Sequence, residues 1–139
     1  MRAIGTAALI AALVAGVSTD ALAQDTTYRK DVKPIFEAKC VGCHGAASPY
    51  FGEFDEDVKK FAAAMKGPRM DSYADMIFFV GWPDTGALMR RLDDGKSAGG
   101  KPGNMYQFLG TNDEERQKNL QIFKAWVGTD GWVLNRFKA

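Results

Sequence analysis

Apolar residues recur at helical intervals in two stretches, one near the front of the chain and one near its end. Tyr28, Val32, Ile35, Phe36 and Cys40 follow one another at steps of four, three, one and four, which is one face of a helix. Leu120, Phe123 and Val127 repeat the pattern within residues 111–128, with Trp126 beside them. Thr111 and Glu114 stand as an S/T-x-x-E capping box at the start of that helix, and Gly128 as its stop. Between these two stretches, "DEDVKKFAAAMKG" places Val58, Phe61, Ala62 and Met65 on one predicted buried face. "SYADMIFFV" is an apolar run with Met76 inside it, and "DTGALMRRL" reads as a short helix with Leu88, Met89 and Leu92 inward. Gly and Pro turns separate these pieces, so the middle predicts two or three helices and the chain as a whole an all-α fold.

The first 24 residues carry a different pattern. Arg2 precedes a run of small apolar residues over 3–17, and Ala21-Leu22-Ala23 supplies small residues at both positions read by a signal peptidase. The run is short for a spanning helix of about 20 residues. Residues 1–23 are therefore expected to be a cleaved secretory leader, and 24–139 a single small domain with no further membrane span.

Charge adds little. The chain has a formal net charge of +1, and losing Arg2 and Asp20 with the leader leaves it unchanged. No basic excess points to nucleic acid. Asp55–Asp57, Asp93–Asp94 and Asp113–Glu115 read as helix starts and wet surface. Three Trp, nine Phe and four Tyr would suit the walls of a large apolar cofactor pocket, which would help a domain of this size complete its core.

Both cysteines and the only histidine lie in "IFEAKCVGCHGAASP". Export favours disulfides, but a bridge across two intervening residues closes a tiny loop and stabilises little by chain entropy. A thioredoxin-like pair sits where a strand feeds a helix, whereas helical spacing precedes Cys40. C-x-x-C-H is the signature of covalent haem attachment. In that chemistry Cys40 and Cys43 form thioethers with the two vinyl groups, and His44 is aimed at the iron.

"IFEAKCVGCHG" resembles the first helix and haem motif of the class I c-type cytochromes, with Phe36 matching the family's aromatic residue four before the first cysteine. The resemblance is close over 28–45, fair over 101–127 and weak between. It implies a small cytochrome c-like fold of several helices around one covalently attached haem c. It also implies that the first and last helices cross, with Phe36 against Trp126 or Phe123. A proline carbonyl is expected to accept a hydrogen bond from the axial histidine, and Pro49 is the proline nearest the motif. Trp82 stands where some members have a tryptophan near a propionate, and Arg69, Arg90 or Arg91 could pair with the propionates.

One histidine excludes a bis-histidine haem within this chain. The sixth position falls to a methionine, a weaker donor, or none. Met65, Met76 and Met89 read as core, while Met70 in "GPRM" and Met105 in "GGKPGNMYQFLG" lie on loops. The family's distal methionine sits on a loop ahead of the last helix, and "PGNM" is similar to its Pro-x-x-Met. The resemblance thus implies His44 and Met105 as the axial pair, with Met70 as the rival.

The expected function is a periplasmic monohaem cytochrome carrying single electrons between a redox protein donor and acceptor, without substrate catalysis. Two alternatives stand beside it. One is an open-site haem enzyme or gas binder. The other is a subunit held in an oxidoreductase complex, motivated by the aromatic segment "FFVGWPDTG".

Overall fold

The computed structural model describes residues 26–81, 86–96 and 100–128; the expected leader, residues 1–23, and Trp82 lie outside them. Every regular element among the described residues is helical. A wide π turn, Tyr28–Val32, leads into α1 (Lys33–Lys39) and the single turn α2 (Val41–His44). Four short helices follow: α3 (Phe51–Glu56), α4 (Val58–Ala63), α5 (Tyr73–Phe78) and α6 (Ala87–Leu92). A 3-10 turn, Tyr106–Leu109, precedes α7 (Asp113–Val127). The middle thus holds four helices where two or three were expected.

The first segment is started by Thr27. Its hydroxyl accepts from Lys30 N at 3.2 Å, and its own N–H donates to the Asp31 carboxylate at 2.8 Å. Such reciprocal bonds satisfy N–H groups that a helix start leaves orphaned. Pro34 fits the first turn of α1, where its missing N–H costs nothing. Val32 and Phe36 are buried, and Tyr28, Ile35 and Cys40 pack against the same cluster, as the spacing predicted. Each fully buried side chain of this kind contributes about 1.5–3 kcal/mol.

The last helix supplies the opposing wall, with Leu120 and Phe123 buried. Its cap differs from the expected one. Asn112, not Thr111, accepts from the N–H three residues on, Glu115 N, at 2.9 Å. The Glu115 carboxylate accepts from Thr111 N at 2.7 Å, one residue before the cap, so the expected Thr111–Glu114 box is replaced by these two bonds. Gly128 ends the helix at φ 85°, a left-handed backbone that favours glycine. α7 packs on the Tyr106–Leu109 turn that precedes it and also crosses the Tyr28–Val32 turn. Trp126 meets Tyr28 and Tyr73 at ring-centroid distances of 5.8 and 6.4 Å, while Phe36 joins Phe123 and Trp126 in the shared core.

Two expectations about burial are corrected. Met65 is 74% exposed: the helix ends at Ala63, and Met65 itself turns away at φ 54°. Of the predicted buried face, Val58 and Ala62 are exposed as well and only Phe61 is half-buried. Asp93 is 1% exposed rather than wet. Its Oδ2 accepts from Gly95 N at 2.9 Å and its carbonyl accepts from Gly103 N at 2.8 Å, so it closes the loop that returns toward Met105. Met76, Leu88, Met89 and Leu92 are buried as expected. Phe79 is buried and Phe78 half-buried, both packed on Phe51, so this part of the aromatic segment belongs to the interior.

Candidate functional site

α1 carries Cys40 at its C-terminal end, with Cys40 N bonded to Phe36 O at 2.8 Å. The backbone turns there (φ −119°, ψ −25°), and α2 places Cys43 and His44 one turn on. Both thiols are free; Cys40 is half-buried and Cys43 exposed. Burial, with the neighbouring Cys43 adding to it, pushes the Cys40 thiol up to about 11, so it stays protonated at neutral pH.

A helix end leaves its last carbonyls without partners. Here a strap formed by residues 66–70 supplies them. Lys66 Nζ donates to Gly42 O at 3.2 Å, Gly67 N to Cys43 O at 2.8 Å, and Met70 N to His44 O at 2.9 Å. Ser48 Oγ adds a second bond to Cys43 O at 2.9 Å. The strap is tied further by Arg69 N to Pro49 O at 2.8 Å.

The strap also decides the state of the histidine. His44 Nδ1 lies 2.8 Å from Pro68 O, and only an N–H can pair with a carbonyl. Nδ1 therefore carries the proton and Nε2 the lone pair, the form a metal needs. Burial pulls the imidazole below its ordinary value, partly offset by the bond to Pro68, so the neutral form prevails at pH 7. Pro68, not Pro49, is the partner; Pro49 instead anchors the strap through its carbonyl. The signal was present in "KGPRM", where Gly-Pro follows a helical run, but sequence could not say which carbonyl arrives at the ring. Gly67 was also missed. A Cβ there would overlap the His44 ring, so only glycine lets the strap pass so close.

The two loop methionines sit on different straps. Met70 is buried in the core, and its amide is bonded to the carbonyl of His44. Met105 is half-buried, and its amide donates to Arg91 O at 2.9 Å, tying it to the end of α6. Gly103 makes that approach possible, since a Cβ would overlap the Arg90 and Arg91 carbonyls. Of the arginines, Arg69 is engaged by Asp71 and by Tyr50 Oη at 3.0 Å, and Arg91 Nη1 reaches Asn104 at 3.3 Å.

This turn meets what covalent haem requires: two free thiols on one helical turn, a neutral imidazole with its Nδ1 fixed, and a glycine that lets the holding strap pack against the ring. No cluster of three or more His, Cys, Asp or Glu that could hold another metal ion occurs among the described residues.

Comparison with known proteins agrees. Residues 27–139 match the family described as PccH cytochrome c. Among solved structures, the monohaem cytochrome PccH from Geobacter sulfurreducens is similar, with a TM-score of 0.73 and 57% identity. That match covers 80% of this chain and 86% of the other. No curated protein sequence matches. The chain belongs to the PccH cytochrome c family and carries one covalently bound haem c.

Proposed function

We propose that the protein is a periplasmic carrier of single electrons between redox proteins, with its haem tethered by Cys40 and Cys43 and its iron held by His44 and Met105. When bound, the haem supplies an iron that exchanges one electron between its ferric and ferrous forms. The chain's own part is to hold both ligands still. His44 is locked by the Pro68 carbonyl, which keeps Nε2 neutral and raises its basicity as a donor. Met105 is held through its own amide and through Gly103 packed on α6. Ligands pinned through their backbones reorganise little, which favours transfer without bond breaking.

The observation that carries the choice of Met105 is the difference between the two straps. A second iron ligand would have to come from a segment other than the one that holds His44. Met70 is bonded through its amide to His44 itself, whereas Met105 hangs from the far end of α6. The leader pattern supports export, and covalent attachment suits a compartment where a dissociated haem would be lost. The burial of Phe79 and half-burial of Phe78 remove part of the motive for a fixed subunit interface.

Optical spectra of the haem-loaded protein test the reading. Wild type is expected to be low-spin with the weak methionine-to-ferric-iron band, lost in Met105→Ala and kept in Met70→Leu. Loss in Met70→Leu alone would move the ligand to Met70. A high-spin wild type that binds carbon monoxide or cyanide rapidly would replace the carrier with an open-site haem protein.

A further inference from the structure

We propose that Arg69 is a positioning residue for the axial histidine, and that with Asp71 and Tyr50 it sets the reduction potential. This inference rests on the proposed function above. Arg69 lies directly after Pro68, whose carbonyl holds His44 Nδ1 at 2.8 Å. Its guanidinium forks onto both carboxylate oxygens of Asp71, with Nη2 to Oδ2 at 3.2 Å. Nη1 donates to Tyr50 Oη at 3.0 Å, and the guanidinium carbon stands 5.0 Å from the Tyr50 ring centroid. Its amide donates to Pro49 O at 2.8 Å, one residue before Tyr50. Side chain and backbone thus staple the same two loops at adjacent positions, with Pro68 O held between that staple and Met70 N on His44 O.

A planar fork that bonds a carboxylate twice fixes direction as well as distance. Lysine keeps the charge and loses the fork. The Asp71 carboxyl is held below its ordinary value by the Arg69 bond, so the pair stays ionised through neutral pH. The consequence at His44 follows from ligand chemistry. A well-aligned Nδ1–H bond to a carbonyl makes Nε2 a stronger donor, which favours the ferric state and lowers the potential. Loosening the staple weakens that bond and raises the potential.

The sign separates this role from simple electrostatics. Removing a cation near the iron favours the ferric state and lowers the potential. Arg69→Lys leaves the charge in place, so charge alone leaves the potential still, while a loosened staple raises it. Tyr50→Phe keeps the ring, changes no charge and removes one bond of the staple.

The experiment is redox titration of haem-loaded wild type, Arg69→Lys and Tyr50→Phe, with solvent exchange of the His44 Nδ1 proton followed by NMR in the ferrous state. The expected result for Arg69→Lys is a rise in potential equal to roughly a tenfold change in the ferrous-to-ferric ratio, about 59 mV for one electron. Tyr50→Phe moves the same way by less, both speed the exchange, and both keep the methionine band. Unchanged potentials and unchanged exchange in both variants, with wild-type spectra, would overturn the positioning role and leave the carrier standing. A wild type without low-spin histidine-ligated haem would overturn both together.

Discussion

Replacing Gly67 by alanine adds one methyl group at the most crowded point of the site. A Cβ built on Gly67 would overlap Cε1 of His44, and it would stand 2.7 Å from Nδ1 and 2.9 Å from Nε2. All three lie under the approach real side chains tolerate, so something must shift. The ring is not a free end: Nδ1 is held by Pro68 O, and Nε2 is committed to the iron in the proposed ligation. The strap therefore has to lift, which strains Gly67 N to Cys43 O at 2.8 Å and Met70 N to His44 O at 2.9 Å. Overpacking costs about 1–3 kcal/mol, and the loss of one of those bonds adds about 0.5–1.5 kcal/mol. The expected destabilisation is thus roughly 2–4 kcal/mol, read as a lower midpoint in guanidinium unfolding at unchanged slope. Gly67 does not have a positive φ, so the effect is steric rather than conformational. A midpoint equal to wild type, with the His44 Nδ1 proton equally protected, would refute the close contact on which the reasoning rests.

Three further outcomes follow from the packing. Glu115 is held down to about 2 by the Lys39 side chain and by the Thr111 N–H and hydroxyl, so its contribution to stability is fully present above its ordinary value of 4.5. That contribution is lost as pH falls toward 2, and Glu115→Gln is expected to flatten the stability-against-pH curve in that window alone, by denaturant titration at each pH. Asn119 donates Nδ2–H to the Leu109 carbonyl at 2.6 Å in a buried position, and Asn119→Ala leaves that carbonyl unpaired at about 1–3 kcal/mol in equilibrium unfolding. Gly103→Ala pushes on the Arg90 and Arg91 carbonyls and is expected to weaken the methionine band while helix content, by far-ultraviolet circular dichroism, stays near wild type.

Local patterns were legible because their causes are local. The Tyr28–Cys40 spacing needs only the helix repeat to place Val32 and Phe36 on one side, and that side is buried. The C-x-x-C-H turn needs only five consecutive residues, and it forms the expected turn. Chain-end chemistry was legible to within a residue: the glycine stop fell at Gly128, while the cap moved from Thr111 to Asn112 because either side chain can reach the third amide on. Met65 was misread because periodicity names a face without saying whether anything packs on it. The helix stopped at Ala63, and both Val58 and Met65 were left exposed.

By itself the sequence determined the helical class and the covalent haem motif with its single histidine. Each follows from bonds and spacings within a few residues. Tertiary structure alone decided which carbonyl holds His44, since Pro68 lies 24 residues away and reaches the ring only because residues 66–70 satisfy the carbonyls at the end of α2. It also buried Asp93 under the returning loop and bound Arg69 to Asp71 and Tyr50. Those pairings depend on where separate segments come to rest, and in a fold of short helices joined by long turns no local period encodes that.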